Sequence, residues 1–482
     1  MKKNGAGGLP GRSSTSKRKQ KILRTVAAVI ATFLVVVAFC ATLHRHEPNQ
    51  PENMNTPTRK KNETLTSLPV ETVVSTVDNE VGLQQFTKPP TCHFGGRSDY
   101  CDIEGDVRVD PGSATVYQVL HPNSDFIARS TAAAMTMIKP YPRNGDETAM
   151  GLVRQWTVKI VPADHKSLPV CHDQRVHDSP ALIFSLGAYF GHYLHAFSDV
   201  LVSLFVTAGP FDRRLHLLVT DGHHLQVAKF ATIWRALSTY RVVDIDTVQP
   251  GGKAHCFSRV MVGLKGRDEK ELSINSSESR YTMKDFRQFL RSAYSLEKTV
   301  ATQLRDRGER KKTSVPPPRI LIISREKTRA FTNVVEIVRT ARELGFEVET
   351  VARFDVDVTK SARMANRVDV LMGVHGTGLT NVVFLPENGI LIQVVPFGVD
   401  WLSNRYFGEP SRDMNVRYLE YKITKEESSL GKVYAPDDAV FTNPTSFRWE
   451  EFSSIYLQNQ NVTVDVTRFR PMLVRALELL HQ

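Results

Sequence analysis

The chain has 482 residues, 41% of them hydrophobic and 23% charged, the proportions of a globular protein long enough for two ordinary domains that need no disulfides to hold a core. A net charge of +11 suggests a nucleic-acid partner, but eight basic residues (Lys2, Lys3, Arg12, Lys17, Arg18, Lys19, Lys21 and Arg24) crowd residues 1–24, where there is no acid. Subtracting those eight from +11 leaves +3 for the rest, so nucleic-acid binding loses its electrostatic case.

Residues 1–24 read as a cytoplasmic basic tail. The 19 uncharged residues from Thr25 to Leu43 read as a transmembrane signal anchor, close to the length that spans a bilayer. A cleaved signal peptide fits less well, because its apolar core is typically about 7–15 residues. The cationic flank keeps the tail in the cytosol and sends everything after Leu43 across the membrane, a type II topology. Residues 44–90, rich in Pro, Thr, Asn and Glu, suit a flexible lumenal stem. Glycosylation sequons at Asn62, Asn275 and Asn461 all fall on that side. Cys40 lies within the span. The other four, Cys92, Cys101, Cys171 and Cys256, are an even number and permit two bridges, with Cys92–Cys101 expected from their closeness; they lack a zinc spacing.

Residues 91–310 form the first predicted domain. Strands at 181–186, 215–221, 240–246 and 257–264 alternate with a helix at 191–208 and a second near 223–237, a Rossmann-like pattern. A long helix is expected from "MKDFRQFLRSAYSLEKTVATQLRD". In the helix of "GHYLHAFSD", His192, His195 and Asp199 share a face, which suits a general base beside a histidine, a solvated polar stripe or a His-His-Asp metal site. The segment "DRGERKKTSVPPPR" (306–319) is a predicted linker.

Residues 311–482 read as a second α/β domain. "RILIIS" is a strand, "NVVEIVRTARELGF" an amphipathic helix, "EVETVA" a strand, "VTKSARMANR" a helix, "DVLMGV" a strand, "TGLTNVVFLP" a short helix and "ILIQVVP" a strand. In such doubly wound sheets ligands bind at the carboxyl ends of the strands. Arg325 and Arg329 follow one strand end, offering fixed forks of donors to phosphate. His375, Gly376, Thr377 and Gly378 follow another, where glycines allow close backbone approach and the leading amides of a helix favour an anion. His375 reads equally as a structural histidine. No Walker, GxGxxG or GxSxG motif occurs. Asp244-Ile-Asp246 and Asp355-Val-Asp357 match a short metal-binding pattern but lie in no convincing strand-end context. Trp401, Tyr406 and Phe407 could stack on sugar or pack a core.

"SREKTRAFTN", "GVHGTGLTNVVFLPENGILIQVVPFG" and "HYLHAFSDV" resemble glycosyltransferase family 61, particularly its plant xylan-decorating members, and the resemblance runs from about Cys92 to the C-terminus. It implies a GT-B fold of two Rossmann-like domains facing a cleft, a UDP-sugar donor and inversion at the anomeric carbon. Donor-binding positions carry over to Arg325, Arg329, Asn333, His375, Gly376, Thr377, Gly378 and Leu379, and catalytic ones to His195 and Asp199, with Asp199 as base. The implied function is transfer of a pentose from UDP-xylose or UDP-arabinofuranose to xylan at the Golgi membrane, with no cofactor, no required metal and a possible complex with other Golgi glycosyltransferases. The alternative is a non-catalytic glycan-binding scaffold of a polysaccharide synthase.

Overall fold

In the computed structural model, ten strands from the first half of the chain make one mixed sheet. They are β1 (Thr91–His93), β2 (Tyr100–Asp110), β3 (Thr115–Leu120), β4 (Met135–Ile138), β5 (Trp156–Pro162), β6 (Val170–Cys171), β7 (Ala181–Ser185), β8 (His216–Thr220), β9 (Val243–Asp244) and β10 (Lys253–Val262). Their order is β4-β5-β3-β2-β10-β7-β8-β9, with β1 on β2 and β6 on β10. The described residues are 88–120, 135–172, 177–247, 253–265, 270–275, 277–304, 316–354 and 356–482. The predicted span Thr25–Leu43, Asn62, Cys40, Asp355 and the 310/311 boundary lie outside them.

The four strands predicted here form one parallel run, β10-β7-β8-β9, and β3–β5 and β6–β10 are parallel pairs besides. The rest departs from a Rossmann pattern: β2 runs antiparallel to both β10 and β3, and β4 is antiparallel to β5. The β2–β3 hairpin turns through Pro111 and Gly112, with Ser113 Oγ donating to Asp110 Oδ2 at 2.6 Å. Disulfides join Cys92 to Cys101 and Cys171 to Cys256.

The second sheet is wholly parallel, made of β11 (Arg319–Ile323), β12 (Glu347–Val351), β13 (Val370–Val374), β14 (Ile390–Val395) and β15 (Arg417–Lys422), ordered β12-β11-β13-β14-β15. Alternate residues face opposite layers. Ile320, Ile322, Met372 and Ile392 pack with Ile337 of α3 (Val334–Glu343) and Phe469 and Leu473 of α5 (Val466–Leu480). Leu321, Ile323, Leu371 and Leu391 face α4 (Val358–Asn366) and join a core continuous with Leu182, Phe184 and Leu217 of the first sheet. Burial on both faces explains the unbroken aliphatic runs. The order reverses between β11 and β13, the crevice where such sheets receive ligands.

One helix, α1 (Tyr193–Phe211), sits in that shared core. It is long and apolar enough to cross a membrane, yet 78% of its apolar window is buried in protein, which makes it a core helix. Its turn at Ala196–Leu201 is a π-helix, an insertion that often marks a functional site. The long helix expected after Met283 is shorter, α2 (Met283–Ala293). Ser295 takes a left-handed φ of 51°, and Lys298 N donates to Asn366 Oδ1 at 3.0 Å, so tertiary bonds draw the remainder out.

Candidate functional site

Ser324, Arg325 and Arg329 leave the carboxyl end of β11, and both arginines hold left-handed φ values, 58° and 53°. Such strain persists only where neighbours enforce it. Arg329 N donates to Gln460 O (2.6 Å), Ala330 N to Asn461 Oδ1 (3.0 Å) and Val462 N to Ala330 O (2.9 Å), so residues 460–462 clamp the loop. The guanidiniums turn toward the end of β13. Arg329 Nη1 donates to His375 O at 3.0 Å, and Arg325 Nε to Thr328 O at 2.6 Å. Gly376 lies beneath them with φ 156° and ψ 174°; a Cβ there would collide with Arg325 Nη1 and stand 3.5 Å from Arg329 Nη1. The 3₁₀ turn Thr377–Phe384 then begins.

This corner is built for negative charge. Burial, then the neighbouring Arg325, pushes the Arg329 guanidinium down to about 9. Arg329 Nε is a buried donor with no acceptor, and no carboxylate of the described residues pairs with the group. His375 is held neutral by burial and by both arginines. Its Nδ1 lies 2.8 Å from Gln393 Nε2, and Gln393 Oε1 accepts from Tyr418 at 2.9 Å, which leaves the imidazole proton on Nε2.

The second cluster surrounds Asp199 on the π turn of α1. Asp199 is fully buried; its Oδ2 accepts from Tyr141 (2.9 Å) and both oxygens from Arg143 Nη1 (2.9 and 3.1 Å). His195 Nδ1 stands 3.2 Å from Arg143 Nη1 and 3.5 Å from Asp199 Oδ2, while its side chain is partly exposed at 14%. Glu271 completes the group, 3.7 Å from Arg143 and accepting a 2.5 Å bond from Ser198 Oγ. Despite burial, Asp199 and Glu271 drive the Arg143 guanidinium up. Ligand atoms of His195, Asp199 and Glu271 lie within 4.8 Å of one another, a spacing that could hold a metal ion. Arg143 Nη1 already sits among them as the cation.

The two clusters meet. His192 Nε2 is 3.0 Å from Thr377 Oγ1, and Tyr193 donates to Asn381 Oδ1 at 2.9 Å, docking the start of α1 on the 3₁₀ turn. Tyr406, on a second π turn, Asn404–Gly408, lies 6.3 Å from the His375 ring, and burial followed by Glu271 raises its phenol.

Arg325, Arg329, His375, Gly376 and Thr377 are thus brought together, and His195 and Asp199 adjoin them through His192. Other expected positions differ in role. A Cβ added at Gly378 would stand 3.2 Å from Ile323 Cδ1, so the glycine serves close packing, and Leu379 is a core side chain at 1% exposure. Asn333 Nδ2 donates to Val464 O (2.8 Å) and Glu336 Oε2 (2.9 Å), pinning the segment before α5 rather than joining the cluster. Phe407 is buried core and Trp401 is exposed. Asp246 accepts from Arg154 and Asp221 N, and Asp357 caps α4. Asn275 Oδ1 accepts from Ser277 Oγ at 2.7 Å. Arg143, Tyr141 and Glu271 carry much of the site yet stand in no motif, and Gln393 lies within the family-like stretch 373–398 but not among the expected site residues; Arg143 lies in a loop after two prolines, where periodicity says nothing.

The Glycosyltransferase 61 profile matches residues 193–392, from the start of α1 through the first half of β14. From Oryza sativa subsp. japonica, the alpha-1,3-arabinosyltransferase XAT2 is 38% identical over 84% of this chain and 67% of its own. The alpha-1,3-arabinosyltransferase XAT3 of the same species is 41% identical over 83% and 66%. The beta-1,2-xylosyltransferase XYXT1 is 36% identical over 81% and 84%. The chain therefore spans about two thirds of the length of the two arabinosyltransferases. It belongs to glycosyltransferase family 61, a family of sugar-transferring enzymes.

Proposed function

We propose that the protein is an inverting, UDP-sugar-dependent transferase of GT-B layout that moves a pentose onto xylan, anchored as a type II protein with its catalytic part in the Golgi lumen. The observation that carries this reading is the convergence of Arg325 and Arg329 on the Gly376 turn at the switch point of the parallel sheet. Its xylan-modifying relatives support the acceptor, and the two disulfides suit an oxidising compartment.

In the proposed step an acceptor hydroxyl attacks the anomeric carbon as the bond from that carbon to the β-phosphate oxygen breaks. The electron pair leaves on UDP, whose charge the two arginines, Gly376 N–H and His375 Nε2–H stabilise; fixed donors of this kind are worth about 3–4 kcal/mol each. Asp199, expected from sequence as the base, has its oxygens taken by Tyr141 and Arg143. His195 is partly exposed and takes the proton on Nε2 in this reading, which requires its Nδ1 to carry a hydrogen turned away from the Arg143 donor at 3.2 Å and toward Asp199 Oδ2 at 3.5 Å; Asp199 is then a positioning residue. No metal is invoked, because guanidiniums supply the positive charge at both clusters.

The test is incubation of the full-length, membrane-expressed protein with xylo-oligosaccharide and each UDP-pentose, read by mass. A gain of one pentosyl unit is expected. UDP binding without transfer from any donor, by folded protein, would leave the scaffold role instead.

A further inference from the structure

A cavity of about 960 Å³ lies between the loop 93–100 and the loop 275–281, with Val206 and Pro210 of α1 at its floor. The Cys92–Cys101 disulfide ties the two ends of the loop 93–100 together. Tyr281 fixes the other loop by lying against Gly209, where a Cβ would collide with its ring.

Two cations enter this space over aromatic rings. Lys265 Nζ is 4.7 Å from the centre of Tyr100, and Arg280 Cζ is 5.0 Å from that of Tyr281, with Nη2 donating to the tyrosine hydroxyl at 2.9 Å. No carboxylate of the described residues forms an ion pair with either. Arg97 adds a third cation and Glu278 is the one acid among the described residues of the lining, while Phe94 offers a ring 59% exposed. Arg97 also joins the cavity to the active cluster: its Nη2 is 4.0 Å from Glu271 Oε1, itself 3.7 Å from Arg143.

Tyr100 and Tyr281 hold the two cations in place, while the exposed ring of Phe94 suits the apolar face of a sugar and the cations beside it suit a carboxylate. We propose that this cavity binds a carboxylated sugar, a uronosyl residue carried on the acceptor polysaccharide, so that Lys265 and Arg280 select acidic stretches of the chain for transfer. A neutral chain has no group to pair with these cations. The proposal rests on the reading of the protein as a polysaccharide-modifying transferase.

Transfer by the full-length protein is compared on a neutral xylo-oligosaccharide and on the same oligosaccharide bearing one glucuronosyl unit. At low salt the acidic acceptor is expected to show a KM lower by about tenfold, the scale of one charge-assisted pair, and the gap to shrink as salt rises. Lys265→Gln and Arg280→Gln, singly and together, should erase the gap while transfer to the neutral acceptor stays at the wild-type rate. Because Asn275 stands at the rim, the comparison is repeated in Asn275→Gln, and a preference in either background supports the proposal. Equal KM values in both, or a preference that survives the double substitution, would overturn it. If neither acceptor is modified the transferase reading fails. Direct titration with the two oligosaccharides then decides the cavity alone: tighter binding of the acidic one supports it and equal binding rejects it.

Discussion

Gly376 and Arg325 are fitted to each other, since the guanidinium Nη1 occupies the space that any side chain at position 376 would need. Gly376→Ala should therefore push Arg325 out of the phosphate corner. Loss of one charge-assisted bond predicts UDP affinity lower by about tenfold or more. The φ of 156° adds a backbone cost of about 1–3 kcal/mol. Calorimetric titration with UDP and a melting curve check the two parts; unchanged affinity would detach the turn from the nucleotide.

Arg329 is a buried cation whose Nε lacks an acceptor, so the unliganded site tolerates it at a cost. An anion should repay that cost. UDP at a hundredfold its Kd is expected to stabilise the natural protein by about 2.7 kcal/mol. Arg329→Met, similar in reach and uncharged, should melt at or above the natural temperature without ligand and show no shift with UDP. A retained shift would place the diphosphate elsewhere.

His195 and Asp199 separate by what else they touch. His195→Ala removes the proposed proton acceptor at little structural cost, and transfer should fall about 10²–10⁴-fold with UDP binding intact. Asp199→Asn leaves Arg143 short of a carboxylate inside the protein, where breaking an ion pair costs about 3–5 kcal/mol. It should lower both activity and melting temperature. Full activity in Asp199→Asn would show that Asp199 does not position His195.

Most of the second sheet could be read from the chain because β11, β13 and β14 are buried on both faces and flanked by glycine or proline, so their aliphatic runs stand out. β15, an edge strand with a largely half-buried face, gives no such run and escapes notice. The first sheet is legible only in its run β10-β7-β8-β9; β2 owes its place to pairing with β10, more than a hundred residues away in sequence, and β3 follows by pairing with β2. The site divides in the same way. Residues at strand ends, such as Arg325 and His375, are placed by local pattern. Arg143 and Glu271 reach Asp199 from loops 56 and 72 residues away, and no local rule brings them there.

A last prediction concerns pH, and it arises far from the cleft. His216 stacks on Tyr240 at 3.9 Å and faces His177 at 4.8 Å and Phe257 at 5.4 Å, with His255 also near. Burial, followed by repulsion from His177 and His255, pushes the imidazole down to about 4. The unfolded chain, with an ordinary histidine near 6.5, takes up a proton that the folded protein refuses. Stability is thus fully present above pH 6.5 and is lost as pH falls toward 4. Melting temperature measured across that interval should decline, and His216→Phe, which keeps the stacked ring and removes the titrating nitrogen, should flatten the decline. An identical slope in the variant would assign the acid sensitivity to other groups.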